Sequence, residues 1–208
     1  AVPGEAFVAA QKSRPPEKND SAILDYNETA VSPFMASDGK HLYFGRPHGD
    51  RAKTNQGKVE PGVIWRMKLD GTDTMKRFIT IPATANGPWA EEWTYPPGAA
   101  SPVAGMALDA KGNLYVCDRQ ANRVVLFSED GKELGEVPVK NPELVAAHPK
   151  TGAIYVLRRG RGKDSTVEKF KALGKTEVSG ASFKLHDQTA APKMVLSVKG
   201  DRTTLWIA

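Results

Sequence analysis

Between Ser101 and Leu134, three short apolar runs alternate with turn residues, and that spacing points to one kind of local structure, a β-meander. The run 106–108 (Met-Ala-Leu) leads to Gly112-Asn113, and a second run, 114–116 (Leu-Tyr-Val), follows. A polar corner then gives way to a third run, 124–127 (Val-Val-Leu-Phe), which ends in Asp130-Gly131. Gly-Asn and Asp-Gly between apolar runs are strong hairpin signals, because tight two-residue turns need residues that tolerate positive φ.

Weaker copies stand on either side. Aligned on the aromatic of its second run, Tyr115 matches Tyr43, Tyr155 and, less closely, Trp206. The third run with its turn recurs as 63–71, 123–131 and 166–174, and a fourth run follows each, at 77–81, 134–139 and 177–183. Four short strands at a period of roughly 40 residues describe a β-propeller blade, and spacings of 72 and 51 between some aromatics then mark blades that carry insertions. A two-sheet sandwich also has many short strands, but it does not return the turn and the aromatic at one phase. The expected fold is therefore all-β, a propeller of four-stranded antiparallel blades, about four of them present.

The expected organisation is late strands of a preceding blade in 1–30, then a blade with two long insertions in 31–100. The best-preserved blade follows in 101–142, a third in 143–190, and two strands of an incomplete blade in 191–208. A six-bladed ring needs on the order of 240 residues, so 208 residues favour a partial piece of a larger propeller. The alternative is a small ring in which 22–26 pairs with the strand around Leu205.

Composition narrows the setting. Hydrophobic residues make up 40% and charged residues 25%, ordinary values for a globular domain, and no apolar run approaches the roughly 18 residues that span a bilayer. The chain opens without a basic region followed by an apolar one, as a mature secreted chain also would; an extracellular or periplasmic location is the expectation. Cys117 is single, so it forms no internal disulfide, and core packing explains it most simply. A net charge of +5 permits attraction to anions, yet the basic stripe with stacking aromatics typical of nucleic-acid readers is missing, as are a phosphate loop and zinc-spaced Cys or His.

From Gly105 to Gly131 the chain resembles the NHL-repeat family of propellers. The likeness rests on Gly-Met-Ala-Leu-Asp, Gly-Asn-Leu-Tyr-Val, the Asp118, Asn122, Arg123 corner and the Val-Val-Leu-Phe run. It implies a propeller, commonly six-bladed, but no single activity, since such propellers serve as binders, sensors, lyases and lactonases. The corner trio reads as structural: Asp and Asn bond local backbone, with Arg123 free to bridge to the next blade. The distantly similar gluconolactonase-like branch implies an axial divalent cation held by residues at the start of the innermost strands. The best-preserved blade has Ala104 there, and the third has Glu143 if Thr151 is a one-residue insertion. One carboxylate falls short of the roughly six oxygens a hard cation wants, so no cofactor is expected and Glu143 stands as the single metal candidate. His148, in Ala-His-Pro-Lys-Thr-Gly, reads as a turn residue.

The resemblance also implies that the loops joining strands two and three, and those joining successive blades, share one face where ligands bind. The three long insertions fall in such connections, at 45–62, 85–98 and 158–164. Loops this long are commonly functional, and aromatics as large as Trp89, Trp93 and Tyr95 are costly to leave loose. They form either a lid or a recognition surface in which the aromatics stack on a ligand and Glu91 or Glu92 hydrogen-bonds it. Arg46, Arg51, Arg158, Arg159 and Arg161 are either a solvated rim or an anion site. The expected function is a non-enzymatic binding module for an anionic, small-molecule or glycan-like ligand, or a protein partner. A lactonase-like hydrolase or lyase with an axial metal, and a structural spacer in a larger extracellular protein, are the alternatives.

Overall fold

A computed structural model of the protein describes residues 34–45, 62–74, 76–82, 102–159, 164–170, 179–184 and 193–207. The described residues form strands and turns, with no helix among them. The first sheet contains β1 (Phe34–Ser37), β2 (His41–Gly45), β3 (Val63–Lys68) and β4 (Lys76–Thr80), in that spatial order and antiparallel throughout. The second repeats the plan with β5 (Val103–Leu108), β6 (Leu114–Asp118), β7 (Arg123–Phe127) and β8 (Glu133–Pro138). The third does so with β9 (Pro142–Ala147), β10 (Ile154–Arg159), β11 (Asp164–Phe170) and β12 (Ser179–Lys184). A hairpin of β13 (Met194–Lys199) and β14 (Arg202–Ile207) completes the described structure.

The sheets stack face to face, as a propeller requires. Side chains alternate across a strand, and β6 uses both faces: Tyr115 and Cys117 join a core shared with β9 and β10, while Leu114 and Val116 join one shared with β2, β3 and β4. The first strand of each sheet lies against the first strand of the next, β1 on β5, β5 on β9 and β9 on β13. These four strands are the inner layer.

The aromatic phase seen in the sequence has a structural cause. Tyr43, Tyr115, Tyr155 and Trp206 lie on β2, β6, β10 and β14, the second strand of each unit. Tyr43 and Tyr115 are buried in the cores between their own sheet and the next. Trp206 holds the same phase but is 63% exposed, as is its cross-strand neighbour Val195 at 60%.

At one point two inner strands approach so closely that a side chain has no room. A Cβ added at Gly105 on β5 would lie 2.6 Å from the carbonyl oxygen of Glu143 and 3.0 Å from Cα of Leu144, both backbone atoms of β9. Glycine is needed there for space, because the neighbour is a chain that cannot swing aside.

Candidate functional site

One end of the sheets carries the connections between second and third strands together with those between successive sheets. Gly62 closes the 46–61 connection, and its carbonyl accepts a hydrogen bond of 2.9 Å from the amide of Ile81, just before the long connection to the second sheet. A Cβ at Gly62 would stand 2.0 Å from the oxygen of Ile81 and 2.8 Å from Cγ of Pro102, and its φ is +84°. The stems of the two longest connections therefore meet at a point only glycine can occupy, on both steric and conformational grounds.

The same end of the second sheet is built by the 118–123 corner. Oδ1 of Asp118 accepts the amide of Ala121 at 3.1 Å, and Oδ2 accepts Nε of Arg123 at 3.0 Å. Asn122 adopts φ 53°, and its side-chain oxygen accepts the amide of Asn141, itself at φ 49°. Its carbonyl accepts the amide of Val139, and the amide of Arg119 reaches back to the carbonyl of Pro102. The corner thus ties the entry of its own sheet to its exit.

The trio is structural, as its residue types imply, but Arg123 does not cross to the next blade. It spans Asp118 and Glu136, two strands of its own sheet, at 3.0 and 2.6 Å. Burial works against its charge, and the bonds to Glu136 and Asp118 outweigh that, so the guanidinium holds its proton more firmly than usual. The crossing is made by Arg119, whose Nη2 donates to Oε2 of Glu143 at 2.7 Å. Glu143 is the second residue of β9, so the pair pins a loop of the second sheet to the inner strand of the third. Sequence reasoning missed this role of Arg119, although the residue directly follows the Asp118 that marks the corner.

On the third sheet, Arg158 donates through Nε to the carbonyl of Lys140 at 2.8 Å and through Nη1 to Glu168. It braces the connection between sheets and is already neutralised by a carboxylate. Arg159, the last residue of β10, stands opposite Ser165 of β11. Arg46, Arg51, Arg161, Trp89, Glu91, Glu92, Trp93 and Tyr95 lie outside the described residues. The structure therefore brings Arg119, Arg158 and Glu143 to one end, together with the stems of the connections that hold the other candidates.

Glu143 was also the metal candidate. The registers confirm its place: Met106 pairs with Val116 and Val145 with Val156, so Glu143 corresponds to Ala104. Among the described residues no three His, Cys, Asp or Glu side chains cluster as a metal site, and Oε2 of Glu143 is held by Arg119. These residues alone do not fit a hard divalent cation, which needs a set of oxygens rather than one carboxylate beside a guanidinium.

No protein-family model and no curated protein matches the chain. Solved structures do. The protein is similar to a virginiamycin B lyase from Staphylococcus aureus (13% identity, TM-score 0.45, 88% of this chain and 50% of that one). It is similar to a chain of a nidogen/laminin complex (20% identity, TM-score 0.43, 67% and 44%) and to the Dos1 propeller (12% identity, TM-score 0.43, 77% and 38%). The chain thus spans half or less of the length of these structures. What it has in common with them is the architecture derived above, an all-β stack of four-stranded antiparallel sheets in propeller order.

Proposed function

We propose that this protein is an NHL-like propeller module that binds a ligand or partner at the end carrying the 46–61, 83–101 and 160–163 connections. The observation that carries the reading is the convergence at Gly62, Ile81 and Pro102, with the Arg119–Glu143 and Arg158–Glu168 pairs at the same end. Braced stems at one end carry long loops, and binding residues are commonly placed on loops held by such a scaffold. By composition these loops hold aromatics, carboxylates and cations, Trp89, Glu91, Glu92, Trp93 and Tyr95 with Arg46, Arg51 and Arg161, and Arg159 ends the strand that leads into the third. Aromatic planes next to guanidinium groups suit a ligand with a flat or sugar-like body and an acidic group. Because Arg119 and Arg158 are paired with carboxylates, attraction for an anion falls to the arginines of the loops. An extracellular or periplasmic setting fits a glycan-like ligand.

The test is binding to an array of acidic and neutral oligosaccharides, repeated with Trp93→Ala and, as a control, Trp206→Ala. Binding to acidic members, weakened at least about tenfold by Trp93→Ala and unaffected by Trp206→Ala, supports the reading. Binding unaffected by Trp93→Ala, or a large fall in melting temperature in that variant, overturns it in favour of a structural lid.

A further inference from the structure

At the opposite end of the three four-stranded sheets, the residue that follows the inner strand closes the turn to the second strand with its side chain. In the first sheet this is Asp38, whose Oδ1 accepts the amides of Lys40 and His41 at 2.7 and 2.6 Å. In the second it is Asp109, whose Oδ1 accepts the amides of Lys111 and Asn113 at 2.8 and 3.0 Å. The third sheet has His148 at this position. Its Nδ1 lies 3.1 and 3.2 Å from the amides of Lys150 and Thr151. Its backbone also repeats what Asp109 does, bonding Ala153 and Gly152 as Asp109 bonds Asn113 and Gly112.

Two amide donors directed at Nδ1 assign the tautomer: Nδ1 is an acceptor and Nε2 carries the proton. Nε2 then donates to Oγ1 of Thr203 on β14 at 3.0 Å. From the same turn Nζ of Lys150 reaches the carbonyl of Gly200 in the β13–β14 turn at 3.4 Å. A carboxylate in place of the ring supplies the turn acceptors alone. The imidazole supplies them and also has a donor for the neighbouring hairpin.

We propose that His148 is a proton-operated latch that holds the β13–β14 hairpin against the third sheet when the ring is neutral and loosens it when the ring takes a second proton. That proton has to go to Nδ1, which would then face two N–H donors with no lone pair to offer. His148 is buried, so an imidazolium left in place needs a carboxylate. On its own turn the charged group is Lys150. On the hairpin the charged groups are Lys199, Asp201 and Arg202, all three exposed. On the neighbouring turn they are Asp109, whose oxygens already serve Lys111 and Asn113, and Lys111. Among the described residues, Tyr155 and Lys169, in contact on β10 and β11, are the titratable groups of its own sheet beside that turn. The balance of these groups is positive, so the charged ring leaves, the 148–153 turn opens, and the bonds to Thr203 and Gly200 go with it. Acid loosens the hairpin, and the change reverses on neutralisation. The inference is independent of what binds at the other end.

Heteronuclear NMR of the whole chain tests the latch. At about pH 7.5 the nitrogen shifts of His148 should report Nε2–H with Nδ1 accepting, and on acidification to about pH 5 the amide protection factors of β13 and β14 should fall at least about tenfold while those of β6 and β7 hold. His148→Asp, which restores the residue type of the other two turns, should lose this pH dependence. Thr203→Val should lower hairpin protection already at neutral pH. A proton on Nδ1 in the neutral protein, hairpin protection that does not change with pH, or the same pH dependence in His148→Asp would each overturn the proposal.

Discussion

The second sheet and the β13–β14 hairpin begin from similar sequence patterns and end in different environments. In β6 every residue is buried, because apolar side chains on both faces meet a sheet on either side. In β13 burial alternates residue by residue, and Val195 and Trp206 on the outer face are the most exposed large apolar side chains described. Burial of apolar area is worth about 25 cal/mol per Å², so a strand covered on two faces is held far more firmly than one covered on one. The contacts across the two junctions differ as well. Between the second and third sheets there is backbone against a glycine, a continuous apolar core and a charged pair; between the third sheet and the hairpin the described polar links are His148–Thr203 and Lys150–Gly200. A propeller is a sum of such junctions, and this one has a strong junction and a weak one.

The sharpest way to break the strong junction is Gly105→Ala. The new Cβ would push on the backbone of β9, and destabilisation of about 3 kcal/mol is expected in chemical denaturation. The matching change in the hairpin turn, Gly200→Ala, meets nothing within 4 Å and has only the cost of φ +60°, about 1 kcal/mol. Equal losses at the two positions would refute the contrast.

Removing the charge that crosses the strong junction comes next. Glu143→Gln leaves Arg119 without its carboxylate in a mostly covered position, and a loss of about 2 kcal/mol is expected. Adding Arg119→Met should recover part of it, and a double-mutant cycle with no coupling would show that the pair holds nothing together.

Cys117 in the same core gives a pH-dependent reading. Burial drives its thiol well above the usual range, and burial likewise raises Tyr43 and Tyr115. Each keeps its proton in the folded chain at pH values where the unfolded chain has lost it. Their contribution is thus whole below the unfolded thiol's value near 9.0 and is lost as pH rises beyond it. Denaturation midpoints should fall on the alkaline side, and the native thiol should resist alkylating reagents until the sheet opens. Rapid labelling of the native protein at neutral pH would contradict the burial. The smallest effect is expected at Trp206: Trp206→Ser should shift stability by no more than about 0.5 kcal/mol, whereas a substantial loss would show that this face is covered.

Much of this architecture was legible in the residues. Tyr43, Tyr115, Tyr155 and Trp206 return at one phase because each stands on the second strand of its unit, where Tyr43 and Tyr115 face the following sheet, and periodicity exposes such a role. The fourth strands fell within a residue or two of β4, β8 and β12, since turn residues bound them. The junctions were less visible. Gly105 reads as one more small residue in a strand until the backbone of β9 lies beside it, and Arg119 and Glu143 meet across 24 residues and two sheets. His148 was recognised as a turn residue, yet its equivalence to Asp38 and Asp109 was hidden by a change of residue type and by the extra residue at Thr151. Of the candidate ligand-site residues, Arg158 braces the backbone at Lys140 and pairs with Glu168, something no local pattern encodes.

Amide hydrogen exchange, resolved strand by strand at neutral pH, tests the difference between the two junctions most directly. The amides of β6, β7 and β10 should exchange only through global unfolding, with protection equal to the full stability of the chain, while those of β13 and β14 should exchange through a separate opening of lower free energy. Equal protection in the two groups, responding together to denaturant, would contradict it.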